Sequence, residues 1–347
     1  DDEFYNDKLD PETIEKLSSY KLYKSLFQGK FDFQLLYKEN ITVKYFEKHN
    51  LISFKTNQKS IEELTKEIFS ALKENQLKQK KYYALIRFDG DSMGKLMAGD
   101  LLANEVTDLQ KFQEEVSKLL SEYAIWASGY LKEPSGKAIF AGGDDFLGFV
   151  NLHHLFDVLA KLRQQFDCLV NKEIQKEYPL SQDFTFSAGI TIAHYKTPLH
   201  TVLERTRKME HDAKQVEGKD AFAIAVMKHS GETYETALKW EKGENAKKIS
   251  DILEKLKSED FSSTFIQSMN TEFLKLLDED GETRLPSKLI ETELKRLLNR
   301  AAKNGLENKK EKVTELTDKI MSLYQGDNFK DLLSLLSICD FIVRKTN

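Results

Sequence analysis

Apolar residues recur at two spacings along this chain, and the switches between them mark out its elements. Tyr82-Tyr83-Ala84-Leu85-Ile86-Arg87-Phe88 is a continuous apolar run that reads as a buried strand, and it ends directly in Asp89-Gly90-Asp91-Ser92-Met93-Gly94. Val106, Leu109, Phe112, Val116, Leu119, Leu120, Tyr123 and Ala127 then follow at helical spacing. Two short runs, Ala138–Ala141 and Phe146–Val150, flank Gly142-Gly143-Asp144-Asp145 and predict a hairpin of two buried strands. Leu155, Leu159, Leu162, Phe166 and Val170 define a second long helix, and Phe184–Ile192 a further strand, completing a βαββαβ order. Pro198 opens another helix to about Val216, and Ala221–Val226 reads as a last strand.

The flanks differ in pattern. Residues 1–80 form a mixed leader: Asp10 and Pro11 look like the start of a helix through Ile14, Leu17 and Tyr20. Segments 41–46 and 51–54 read as short strands, and 61–77 as a helix. From Thr233 onward the chain is charged and helical in period, with Leu253, Met269, Leu289, Leu294, Leu316, Leu332 and Phe341 among its core positions. The expected fold class is therefore α+β: a ferredoxin-like βαββαβ domain over residues 81–232, followed by an all-α helical bundle over 233–347.

Composition narrows the partners. At 347 residues the chain can bury more than one core, and a formal charge of −5 argues against binding long nucleic acid by global electrostatics. Cys168 and Cys339, far apart in apolar helical patterns, read as buried free thiols suited to a reducing cytoplasm. No apolar run approaches the roughly 20 residues that span a bilayer, so no membrane partner is expected. An opening Asp1-Asp2 in place of Met suggests a piece of something longer.

The chemistry lies in the acids. If the first strand lies beside the hairpin, Asp89 and the Asp144/Asp145 pair meet at one sheet edge. Clustered carboxylates raise one another's pKa unless a cation neutralises them, and oxygen-only ligands favour Mg²⁺ or Mn²⁺ over zinc. Such clusters serve phosphoryl and nucleotidyl transfer through two metal ions, the expected reaction being attack of a 3′-hydroxyl on the α-phosphate of a nucleoside triphosphate.

With these motifs in place, the middle of the chain resembles the palm of nucleotidyl cyclases and polymerases. Phe88–Gly94, Phe140–Asp145, Ser187–Ile190, and Ala213-Lys214 through Gly218-Lys219-Asp220 are similar to the large polymerase subunit of type III CRISPR effector complexes, of the Cmr type. The resemblance implies an ATP-dependent enzyme, part of an RNA-guided complex with other subunits, guide RNA and target RNA, making a signalling nucleotide such as a cyclic oligoadenylate. It implies that Asp89, Asp144 and Asp145, with the Gly90 carbonyl, hold the metals. Gly142, Gly143 and the amides of Ser92, Met93 and Gly94 would cradle phosphates. Lys214 and Lys219 would meet the triphosphate, and Ser187 would touch ribose or base. The His-Asp nuclease dyad and Cys-rich zinc motif that members often carry are not visible in the sequence.

Other readings stay open from sequence. Lys214 and Lys219 also fit solvated helix-end lysines, and Ser187-Ala188-Gly189 also fits a strand on which a helix packs closely. His211-Asp212, His153-His154 and His194 read as ordinary surface residues, and Tyr82-Tyr83 as sheet packing. The same palm chemistry is compatible with transfer of AMP to a second small molecule such as S-adenosylmethionine, with a GGDEF-type diguanylate cyclase, or with a scaffold whose acids are vestigial.

Overall fold

The computed structural model describes residues 80–104, 108–228, 231, 233–258, 260–262, 264–273, 286–324 and 329–346, together with Thr42, Lys44, Glu63, Lys66 and Ser70. The chain divides into two compact units, Asp1–Lys80 and Lys81–Asn347. In the first unit Glu63, Lys66 and Ser70 are helical as expected, whereas Thr42 is a bend and Lys44 helical where a strand was expected. The helix expected from Asp10 and the strand expected at 51–54 lie outside the described residues, as does Val106.

The second unit is built on one six-stranded sheet. Its strands are β1 (Tyr82–Gly90), β2 (Gly136–Gly142), β3 (Asp145–Val150), β4 (Phe186–His194), β5 (Ala221–Met227) and β6 (Thr233–Lys239), in the spatial order β2-β3-β1-β4-β5-β6. The first four are antiparallel neighbours in the order 2-3-1-4, which is the ferredoxin-like arrangement. Strand β5 is parallel to β4 across helix α5 (Leu199–Gln215), as a crossover connection requires.

Helices pack on both faces of the sheet. On one face Phe88 stacks against Phe146 and Phe186, with ring centroids 4.9 and 4.2 Å apart. This cluster is closed by α2 (Leu109–Tyr130), which buries the stripe Phe112, Val116, Leu119, Leu120 and Tyr123, and by α3 (Leu155–Phe166). The short α1 (Met93–Ala98) links β1 to α2. On the other face α5 lies over β4 and β5. The expected long helix at 155–170 is interrupted by a π-helical turn, Asp167–Asn171, before α4 (Lys172–Glu177). The wider turn aims the buried Asn171 amide at Phe184, accepting from its N–H and donating to its carbonyl at 2.8 Å each.

Two expectations are corrected here. Thr233–Lys239 is not helical: it forms β6, paired antiparallel to β5 from Ala221↔Lys239 to Met227↔Thr233. Thr236 and Leu238 alternate into the interior, a period of two that the charges of Glu235 and Lys239 disguise in sequence. Strand β2 is not buried throughout: as the sheet edge, with a bulge between Ala138 and Phe140, it leaves Ile139 and Phe140 about half exposed.

Beyond β6 come α6 (Glu244–Lys257), α7 (Thr264–Phe273), α8 (Ser287–Ala301), α9 (Lys309–Leu323) and α10 (Phe329–Thr346). Helix α6 packs on α3, and α10 on β6, so the helical region continues the core of the sheet. Leu289, expected in that core, is exposed, because the buried stripe of α8 runs through Ile290, Leu294, Leu297 and Leu298. Cys339 is wholly buried, which pushes its thiol up to about 12, while Cys168 is only partly buried. No described helix is long and apolar enough to cross a membrane.

Candidate functional site

Side chains that face each other across the sheet share a face, so the strand register decides which motif residues meet. Arg87 pairs with Leu147 on β3 and Gly189 on β4, and Asp89 pairs with Ser187. The last β1–β3 pair is Phe88↔Phe146, so Asp89 and Gly90 follow it on β1 where Asp145 and Asp144 precede it on the hairpin. Gly142 pairs with Asp145 across the hairpin, whose loop is Gly143-Asp144. Gly143 has φ +61° at the first central position, where a two-residue II′ turn requires glycine.

Gly90 lets the tetrad close onto β1. A Cβ added there would lie 2.7 Å from Asp144 Oδ2 and 2.9 Å from its Cβ. Burial raises the Asp144 carboxyl above its ordinary pKa, and the charges of Asp89 and Asp145 push the same way against its own backbone hydrogen bond and Lys214. All three acids expected from sequence therefore stand at one strand edge.

The structure shows how their charge is balanced. Lys214 Nζ is bonded to Asp89 Oδ2 and stands 3.4 Å from Glu210. Glu210 stands 3.2 Å from Arg87 Nε, which in turn is 3.6 Å from Asp145. Burial lowers the Lys214 ammonium, but its bond and charge interactions with Asp89 and Glu210 outweigh this and hold it above its usual value. Glu210, only 8% exposed, is raised by burial against the pull of Arg87 and Lys214. Gly189 makes this possible: a Cβ there would meet the Thr206 carbonyl at 2.1 Å and the Glu210 amide at 2.3 Å. The bare strand lets α5 settle directly onto the sheet and carry Glu210 and Lys214 to β1.

Ser187 is corrected. It is fully buried and donates to Asp91 Oδ2 at 3.1 Å, so it has no surface to offer ribose or base. Within the small run 187–189, Gly189 is the position against which a helix packs closely. Asp91, itself 4% exposed, also accepts from Thr185 Oγ1 at 2.8 Å and from the Asp220 amide at 3.1 Å. Asp220 Oδ1 accepts from the buried Arg163 Nε at 2.8 Å. These bonds pin the loop before β5, where Gly218, Lys219 and Asp220 have successive φ values of +70°, +50° and +48°. Two of those are non-glycine residues in the left-handed region, a strain of about 1–2 kcal/mol each that the surrounding bonds must offset. The loop presents Lys219, whose Nζ donates to Ser92 Oγ at 3.3 Å. Ser92 is itself left-handed before Met93 and Gly94 at the start of α1, and the space beside Gly94 is open.

Asp91→Ala is expected to destabilise the protein by about 1–3 kcal/mol, because one buried and two partly buried donors lose their acceptor. Asp91→Asn should cost less, since an amide oxygen still accepts. Urea unfolding of both variants measures the difference, and equal loss in the two would contradict this account.

Among the described residues no three Asp, Glu, His or Cys side chains stand as a ready-made metal cluster. Asp89 is engaged by Lys214 and Asp145 faces Arg87, so the expected three-way convergence of carboxylates is not formed as such. The donor chemistry nevertheless fits a hard cation. The ligands are all oxygens, Asp144 is under pressure from neighbouring charge, and Asp145 Oδ1 is buried without a hydrogen-bond partner. Sequence reasoning missed Arg87, Asp91, Arg163, Glu210 and Asp220. Spacing held a signal for two of them: Arg87 shares a strand face with Asp89, and Glu210 precedes Lys214 by one helical turn.

Comparison with known proteins agrees with the motif reading. Residues 82–223 match the family described as Cas10/Cmr2, second palm domain. The CRISPR system Cmr subunit Cmr2 of Pyrococcus furiosus is 32% identical over 180 residues, covering 46% of this chain and 20% of that protein. The chain thus spans about a fifth of the length of that relative. Among solved structures, the apo type III-B Cmr-beta complex has a chain 14% identical, with TM-score 0.48, covering 90% of this chain and 47% of that one. The Csm1–Csm4 cassette in complex with cA4 matches at 14% identity and TM-score 0.41, covering 70% of this chain and 37% of that one.

Proposed function

We propose that this chain, which carries a palm of the Cas10/Cmr2 family across residues 82–223, is a metal-dependent nucleotidyl transferase of a type III RNA-guided complex. It would use ATP to make a signalling nucleotide of the oligoadenylate type when target RNA is bound, working with the complex's other subunits and guide RNA. One observation carries the reading: Asp144 lies against Gly90 beside Asp89, with Lys214 already at Asp89.

Asp89 and Asp144, with the Gly90 carbonyl and Asp145, are the residues that would hold Mg²⁺ or Mn²⁺. Cations bound there supply charge neutralisation for attack of a 3′-hydroxyl on the α-phosphate and for departure of pyrophosphate. Lys214, in the last turn of α5, and Lys219, in the α5–β5 connection, would meet the triphosphate as point charges. Gly143 keeps the tip of the turn free of a side chain that would fend off a phosphate, and Gly94 leaves the same freedom at the start of α1, whereas Gly142 lies beside the Phe140 ring, which a Cβ there would meet at 2.9 Å. Ser92 and Met93 bring their amides to that point. Asp91, Asp220 and Arg163 hold Lys219 in place without touching the nucleotide.

The test is product identity. The assembled complex, given target RNA, ATP and Mg²⁺ or Mn²⁺, is expected to release pyrophosphate and form adenylate oligomers detectable by mass. Failure to consume ATP under those conditions overturns the proposal. Appearance of AMP joined to an added small molecule would keep the transfer chemistry and replace the acceptor.

A further inference from the structure

Five charges alternate in sign along the site: Asp145, Arg87, Glu210, Lys214 and Asp89. Glu210 is the acid in this series that the transfer chemistry above does not use. It sits one turn before Lys214 on α5, and Gly189 holds that turn hard against the sheet. Its Oε2 and Asp145 Oδ1 are the atoms that Arg87 Nε faces, at 3.2 and 3.6 Å and without a well-aligned hydrogen bond, while its Oε1 faces Lys214 at 3.4 Å. Burying a carboxylate held by ion pairs that lack well-aligned hydrogen bonds is costly. The cost is explained if one of those pairs tightens in another state of the site.

Such a state follows from the Asp89 reading. A divalent cation at Asp89 and Asp144 would stand beside the Lys214 ammonium, which is bonded to the same Asp89 carboxylate. Like charges sharing one carboxylate repel, so Lys214 must move, and a lysine without a counter-ion in this half-buried place would be penalised. Glu210 Oε1 already stands 3.4 Å from Lys214 Nζ and can close on it.

We propose that Glu210 is a positioning residue that receives Lys214 when a divalent cation is taken up at Asp89, so that metal binding and release of the lysine toward the triphosphate are one exchange. The proposal rests on Asp89 and Asp144 being the cation ligands. Three effects of losing the Glu210 charge share one sign. Lys214 is left with Asp89 as its partner and competes harder for it, Arg87 turns more fully to Asp145, and the site loses one negative charge. Each weakens cation binding.

The experiment is Mn²⁺ titration of the full chain without nucleotide, read from the spin-resonance signal of free Mn²⁺, with thermal unfolding recorded for every variant. Glu210→Gln is expected to weaken Mn²⁺ binding roughly three- to tenfold, the scale of one nearby charge in a partly screened site. Lys214→Met is expected to tighten it, and adding Glu210→Gln to Lys214→Met should cost clearly less than in the wild type. Wild-type Mn²⁺ affinity in Glu210→Gln, or the same penalty in both backgrounds, overturns the exchange. If Glu210→Gln does not fold, Lys214→Met alone decides, since unchanged or weaker binding there overturns it too. Asp89→Asn separates the two levels: lost Mn²⁺ binding in Asp89→Asn beside an unaffected Glu210→Gln removes the exchange and leaves the ligand assignment. Unchanged binding in Asp89→Asn removes both.

Discussion

Asp144→Asn is expected to lower ATP turnover by the assembled complex on the order of 10³-fold, the scale seen when one group aimed at developing charge is removed. The substitution keeps the shape of the turn. It removes the one carboxylate that lies against Gly90 and feels the charge of both Asp89 and Asp145. Asp145→Asn should fall less, by roughly tenfold, because Asp145 faces Arg87 and acts on the site partly through it.

The same substitution should not weaken the fold. Burial and like charges raise the folded-state pKa of Asp144, so its ionised form opposes folding at pH above that value, and the opposition fades as pH falls through it. A neutral amide removes that opposition. Asp144→Asn is therefore expected to unfold at an equal or higher temperature than the wild type while losing activity, the trade-off common at sites built from repelling groups. Parallel thermal melts and pyrophosphate-release assays test both halves. Turnover within threefold of wild type, or a clear drop in melting temperature, would contradict the assignment.

Gly189→Ala is the largest expected effect on stability. Its new Cβ would lie 2.1 and 2.3 Å from backbone atoms of α5, and backbone cannot rotate away as a side chain tip can. The helix must lift or the strand must bend, at a cost of about 3 kcal/mol, the upper part of the overpacking range. Because α5 carries Glu210 and Lys214, the surviving folded protein should also bind ATP more weakly. Gly94→Ala is the control: nothing lies within 4 Å of a Cβ there, and alanine is the better helix former. Urea unfolding should show a lower midpoint with unchanged slope for Gly189→Ala alone. Equal midpoints in the two variants would mean that α5 is not seated as described.

The candidate site was legible in sequence to an uneven degree. Asp89 and the Gly142–Asp145 tetrad were readable because each follows or interrupts a short apolar run, and a strand end is a local property. Lys214 and Lys219 came through the resemblance and could equally have been solvated lysines; Lys214 bonded to Asp89 and Lys219 to Ser92 distinguish them from that reading. Ser187 went the other way, since a small polar residue on a strand looks the same in sequence whether it faces a ligand or a buried Asp91. Strand β6 was hidden by its charges, and the exposure of Ile139 and Phe140 by the fact that edge and interior strands share one apolar composition.

What the sequence determined alone was the order of strands and helices from β1 to β5, the ferredoxin-like core and the placing of acids at strand ends. These follow from periodicity and turn chemistry, which act over a few residues. Only the tertiary structure decided who neutralises whom. Lys214 meets Asp89 across 125 positions of sequence, Asp220 meets Asp91 across 129, and Arg163 meets Asp220 across 57. Charge has no period along a chain. Its partners are chosen by register, by the closeness that Gly189 allows, and by the cost of leaving any buried group alone.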